Sequence, residues 1–141
     1  MKILNTSDIT EYIDNCLKAK FENDPSLNPL ENSMAEGYVI GKINFATNNI
    51  DNFDGNDISI NDELIAKVFI IREKISADIK SNRSSIGRLD ALESNLRDEE
   101  YFFKRGEHNG YIDAAIIYLT LFENKNSELA KELVLSKEAN L

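Results

Sequence analysis

The side chains able to do chemistry in this 141-residue chain gather in few places. Residues 51–63, DNFDGNDISINDE, hold Asp51, Asp54, Asp57, Asp62 and Glu63, interleaved with Asn52, Asn56 and Asn61. Carboxylate and amide oxygens at alternate positions are what hard cations take, and without a cation they make a compact negative surface for a basic partner. Farther on, Arg83, Ser84 and Arg88 place two guanidiniums and a hydroxyl within six residues, groups suited to phosphate oxygens. Cys16 is the one cysteine and His108 the one histidine, which rules out a disulfide within the chain and a multi-histidine metal site. No nucleophile has a base near it in sequence, and neither a phosphate-binding glycine loop nor a zinc spacing occurs. Catalysis is therefore not expected, and no cofactor or resident metal is called for.

Three stretches resemble known families. Counted from Asn52, the residues Asn52, Asp54, Asn56 and Glu63 take positions one, three, five and twelve of a loop similar to the EF-hand, a likeness that implies calcium. Asp57 stands where that loop turns on glycine, and Ser59 where it carries an apolar residue, so the segment reads as a solvated turn. Residues 75–89, ISADIKSNRSSIGRL, resemble the helix-turn-helix of DNA-binding regulators. The resemblance implies a dimeric regulator acting through residues 75–97, with Arg83, Ser84 and Arg88 on DNA; Lys80 and Ser81 replace the glycine and aliphatic residue usual in the turn. GYIDAAIIYLTLF, from Gly110, is similar to the carboxylate helix of the all-α nucleotide pyrophosphohydrolases, which hold magnesium on Glu and Asp one turn apart. Asp113 is present, but Gly110 occupies the place of the Glu.

In the segments around these groups, apolar spacing is helical nearly throughout. Ile9, Tyr12, Ile13, Cys16, Leu17 and Phe21 predict a first helix over 8–23, with Asp8 and Glu11 as a capping box and Cys16 as a small core residue. A second helix is expected from about Leu30 to Asn49; Gly37 and Gly41, one turn apart, would let another backbone approach. After the Asp-rich loop, Ser59 and Asp62 read as a cap for a third helix nearly encircled by apolar residues. Ile65, Phe69 and Ile70 are its candidates for self-association. A turn at SNRSS, a fourth helix antiparallel to the third over Ile86–Leu96, one or two helices over 98–123, and a short helix capped by Ser127 complete the prediction. Gly37-Tyr38-Val39 also lines up with Gly110-Tyr111-Ile112, a possible internal repeat. The expected fold is all-α: one domain over 1–141, a compact bundle of about five or six helices built from helical hairpins.

Charge supplies the functional expectation. Of the net −9, nearly all comes from residues 1–63, with twelve acids against four bases, whereas residues 64–141 are near neutral. Such a face repels nucleic acid and membrane phosphates and steers basic proteins toward it. The amino-terminal stretch has no leader-like apolar run, and no run approaches the ~18 residues of a membrane-spanning helix, so a cytoplasmic protein is expected. Together these features predict a non-catalytic helical binding module that occupies a basic surface, that of a nucleic-acid-binding protein among them, through Asp51, Asp54, Asp57, Asp62 and Glu63. Small size and an Asn-, Ile- and Lys-rich composition suit an acidic inhibitor or adaptor of a phage or mobile element, with a homo-oligomer formed through the third helix. The alternative is the DNA-binding regulator.

Overall fold

The structure is a computed structural model that describes residues 3–90 and 94–125, with side chains described outside 88–97 and 123–125. Two short strands and four helices follow in the order β1 (Ile3–Asn5), α1 (Ser7–Leu17), α2 (Pro29–Asn49), β2 (Asp57–Ser59), α3 (Asp62–Asp90) and α4 (Ser94–Lys125). The all-α class holds, but the described residues form four helices rather than five or six. The helix expected after Ser127 lies outside the described residues.

Local chemistry explains most boundaries. Asn5 Oδ1 accepts from the Ser7 N–H at 2.8 Å, so α1 begins one residue before Asp8, and the expected Asp8–Glu11 box gives way to this earlier start. α1 stops at Leu17, six residues short of expectation, and the chain then runs without helix to Pro29. A buried amide holds this connection: Asn32 Oδ1 accepts from the Asp24 N–H at 2.9 Å, and Asn32 Nδ2 donates to the Asp24 carbonyl at 2.9 Å. Asn28 caps α2 by accepting from the Glu31 N–H at 2.8 Å, with Pro29 in the first turn where its missing N–H costs nothing. α3 is capped by Asn61, whose Oδ1 accepts from the Leu64 N–H at 2.9 Å; Ser59, expected in that role, lies in β2 instead.

One expected turn is absent, and residues 98–123, expected as one helix or two, lie in one. The SNRSS segment continues as helix because it contains neither proline nor glycine, and the Ser85 hydroxyl donates to the Ser81 carbonyl one turn back at 3.3 Å. The GEHNG segment also stays helical, for a tertiary reason. Along α2 and α4 the two backbones touch: a Cβ on Gly37 or Gly41 would collide with the carbonyls of Phe103 or Glu107, and one on Gly106 or Gly110 with those of Met34 or Tyr38. The partner numbers rise together, so the helices are parallel. They are also related by a local two-fold that pairs Gly37 with Gly106 and Gly41 with Gly110, one turn away from the alignment suggested by sequence. Close backbone packing thus offsets the roughly 1 kcal/mol that each glycine costs a helix.

α3 runs antiparallel to both members of this pair. Tyr111 of α4 donates its hydroxyl to Asp78 Oδ2 at 2.6 Å, and Lys74 Nζ reaches the Asn48 carbonyl of α2 at 3.0 Å. The core lies between the helices, where Phe45, Tyr111, Tyr118 and Phe122 meet edge to face at centroid separations of 5.3–5.4 Å. Leu64, Ile65, Val68, Ile71 and Ile75 close it from α3, and Ile9, Ile13 and Cys16 from α1. No helix among the described residues is long and apolar enough to cross a membrane.

Candidate binding surfaces

The acidic loop is carried on a braced mount. β1 and β2 pair antiparallel with Ile3 opposite Ser59, Leu4 opposite Ile58 and Asn5 opposite Asp57. Buried Leu4 anchors this ribbon in the core, and the buried Thr6 hydroxyl donates to the Asn56 carbonyl at 2.9 Å. From the other side, Asn52 Nδ2 donates to Asn49 Oδ1 at 2.9 Å and to the Tyr118 hydroxyl at 3.1 Å, while buried Asn49 donates to the Phe45 carbonyl at 2.8 Å. Burial pushes the Tyr118 phenol up to about 12, opposed in part by its bond with Asn52. Gly55 turns the loop at φ +87°, a left-handed conformation that side-chain-bearing residues seldom adopt.

On this mount Asp51, Asp54, Asp57, Asp62 and Glu63 are all exposed. The Asn56 backbone N–H, donating to Asp54 Oδ1 at 3.0 Å, holds the Asp54 carboxyl below its usual range. Asn52, the first position of the calcium alignment, donates its Nδ2 inward to Asn49 and Tyr118. Among the described residues no group of three or more His, Cys, Asp or Glu side chains is placed to hold a metal ion. Beside the loop an open groove of about 770 Å³ runs between β2 and the first turns of α3, lined by Ile58, Leu64, Ile70 and Ile71 with Glu63 and Lys67 at its margin. Lys67 lies over the Phe53 ring, 4.7 Å from its centroid.

No protein-family model, curated protein or solved structure matches this chain. Its chemistry is accordingly read from its own residues.

The three self-association candidates separate. Ile65 is packed into the chain's own core, Phe69 is half-buried against it, and Ile70 is 68% exposed at the groove. The apolar residues that nearly encircle α3 are largely absorbed by contacts within the chain, because α1, α2 and α4 all share one core with it.

Arg83 and Ser84 are exposed on α3, but the unbroken helix from Asp62 to Asp90 replaces the turn that a helix-turn-helix needs. The second helix of that motif, a separate recognition element, is therefore not formed. The Arg88 side chain lies outside the described residues. Arg83 instead faces α4, where it lines a cavity of about 300 Å³ with Arg105, His108 and Asn109. His108, expected in a polar turn, is on helix α4; burial and then the neighbouring Arg83 hold its imidazole below the usual range.

The remaining singletons lie together. The Tyr38 hydroxyl donates to Asp113 Oδ2 at 2.7 Å, joining α2 to α4 and giving Asp113 a structural partner. Burial, followed by that bond, pushes the Tyr38 phenol up to about 12. Buried Cys16 sits beside the Tyr12 hydroxyl, which is itself buried and makes no hydrogen bond of ordinary geometry; burial raises that phenol strongly. Sequence reading missed the Tyr38–Asp113 and Tyr111–Asp78 pairs because each joins helices far apart in the chain, a relation that spacing along one helix cannot reveal.

Proposed function

We propose that the protein is a non-catalytic helical binding module that occupies a basic surface of a partner protein through the acidic segment 51–63. The observation that carries this reading is the exposure of five carboxylates on a loop braced from two sides and bordering an apolar groove. A preorganised anionic surface loses little conformational freedom on binding, and its field raises the encounter rate with a cationic partner. The groove beside it would accept an apolar side chain flanked by the partner's lysines and arginines. A cytoplasmic role as an inhibitor or adaptor, including one encoded by a phage or mobile element, is consistent with such a surface.

The experiment compares wild type with the combined variant Asp51→Asn, Asp54→Asn, Asp57→Asn, Asp62→Asn and Glu63→Gln as bait in extracts of the native host. Asn at position 54 keeps an oxygen for the Asn56 N–H, so the loop conformation should survive. Wild type should retain a basic protein at low salt and release it at high salt, and the variant should fail to retain it. Equal retention by both baits contradicts the proposal.

The exposed Ile70 supports a second, separable property: self-association through the groove. Sedimentation equilibrium should then show a concentration-dependent dimer that Ile70→Lys abolishes, and a strict monomer at all concentrations removes this reading.

A further inference from the structure

Against the acidity of the chain, one concave site is cationic. The antiparallel approach of α3 and α4 brings Arg83 to Arg105 and His108 around a cavity of about 300 Å³, completed by Ile86, Gly87 and Asn109. Among the described residues no carboxylate lines it. Among the described residues neither guanidinium has an acidic partner; Arg105 lies over the Tyr101 ring at 5.6 Å, a contact that leaves its N–H groups available. His108 Nδ1 is buried without a hydrogen-bond partner, an arrangement that buried nitrogens seldom keep. Gly87 leaves open space where a side chain would stand.

We propose that this cavity is a binding site for a small phosphorylated molecule, a phosphate monoester in its dianionic form. Two guanidiniums on facing helices present planar sets of N–H donors that match phosphate oxygens, and charge-assisted bonds of this kind are the strong ones. The His108 imidazole forms part of the same wall. Asn109 adds an amide donor at the rim, and Ile86 offers an apolar wall to the group that the phosphate carries. A compact dianion fits better than nucleic acid for two reasons. The site is a pocket between two helices rather than a track, and the chain's net charge of −9 repels an extended polyanion while a single buried phosphate feels chiefly the nearest cations.

The test is a titration of the full-length ¹⁵N-labelled protein with inorganic phosphate, with phosphoserine as the monoester, and with a short single-stranded oligonucleotide. Phosphate and phosphoserine should give saturable shifts at the Gly87, His108 and Asn109 amides, with phosphoserine the tighter. Arg83→Ala and Arg105→Ala, both exposed positions that should leave the fold intact, should each weaken phosphoserine about tenfold or more. His108→Gln should weaken it less, since its amide can still donate. Shifts that never saturate, equal affinity in the arginine variants with unchanged spectra elsewhere, or tighter binding of the oligonucleotide than of phosphoserine would each overturn the assignment.

Discussion

Gly110 of α4 lies directly against the Tyr38 carbonyl of α2, so close that a single methyl group on Gly110 would overlap it. The same relation recurs at Gly106, Gly37 and Gly41, and it lets two parallel helices share one backbone-to-backbone seam. Everything else is assembled on that seam: α3 crosses back along it, α1 covers one side, and the acidic loop leaves from the end of α2.

Helix propensity and packing therefore pull in opposite directions at different glycines. Gly110→Ala should destabilise by at least about 2 kcal/mol, because backbone cannot yield as a flexible side chain can. Gly87→Ala, on the same kind of helix with open space around it, should stabilise by up to about 1 kcal/mol. Urea midpoints of the two variants check both signs.

Removing the hydroxyl in Tyr111→Phe deletes the 2.6 Å bond to Asp78 and leaves the carboxylate without its phenolic donor. A loss of about 1.5–3 kcal/mol is expected, the range for hydrogen bonds to charged groups. Chemical denaturation measures it.

Asn32→Ala should cost about 1–3 kcal/mol by unsatisfying both main-chain groups of Asp24. Its effect should also be local. Limited proteolysis should cut the variant within residues 19–28 under conditions where wild type resists.

Alkali should unfold the protein in a defined window. In the folded chain the Tyr38 and Tyr118 phenols are pushed up to about 12, above their ordinary value of 10.0. Their contribution to stability is fully present below pH 10 and is lost as pH rises toward about 12, because the unfolded chain ionises first. Urea midpoints should be flat from neutral pH to about 9 and fall beyond it. Tyr38→Phe should make that fall shallower.

The fold class was readable in the sequence because apolar residues at helical spacing mark a buried face whatever they pack against. α2 was found almost to the residue: expected from about Leu30 to Asn49, it runs Pro29–Asn49. The long helices were not: the serine-rich SNRSS segment reads as a turn in α3, and in α4 Gly106 and Gly110 look like breakers until α2 supplies the backbone that needs them. The two strands escaped because three residues carry no period, and Leu4 declares its role only when Ile58 lies opposite. At the candidate surface, the carboxylates of residues 51–63 were legible from composition, whereas the bracing by Thr6, Asn49 and Tyr118 joins residues up to 66 apart. The cationic cavity was half visible: Arg83 stood out as a phosphate ligand, but its companions Arg105 and His108 come from a different helix.

The central claim is that the acidic loop is the working surface, and the salt dependence of binding tests it most directly. With the captured partner purified, calorimetric affinities of wild type and of the five-site neutral variant are compared across a series of salt concentrations. Affinity for wild type should fall steeply as salt rises, and the variant should bind weakly with a nearly flat dependence. A wild-type affinity indifferent to salt, or a slope unchanged after the five carboxylates are neutralised, would contradict it.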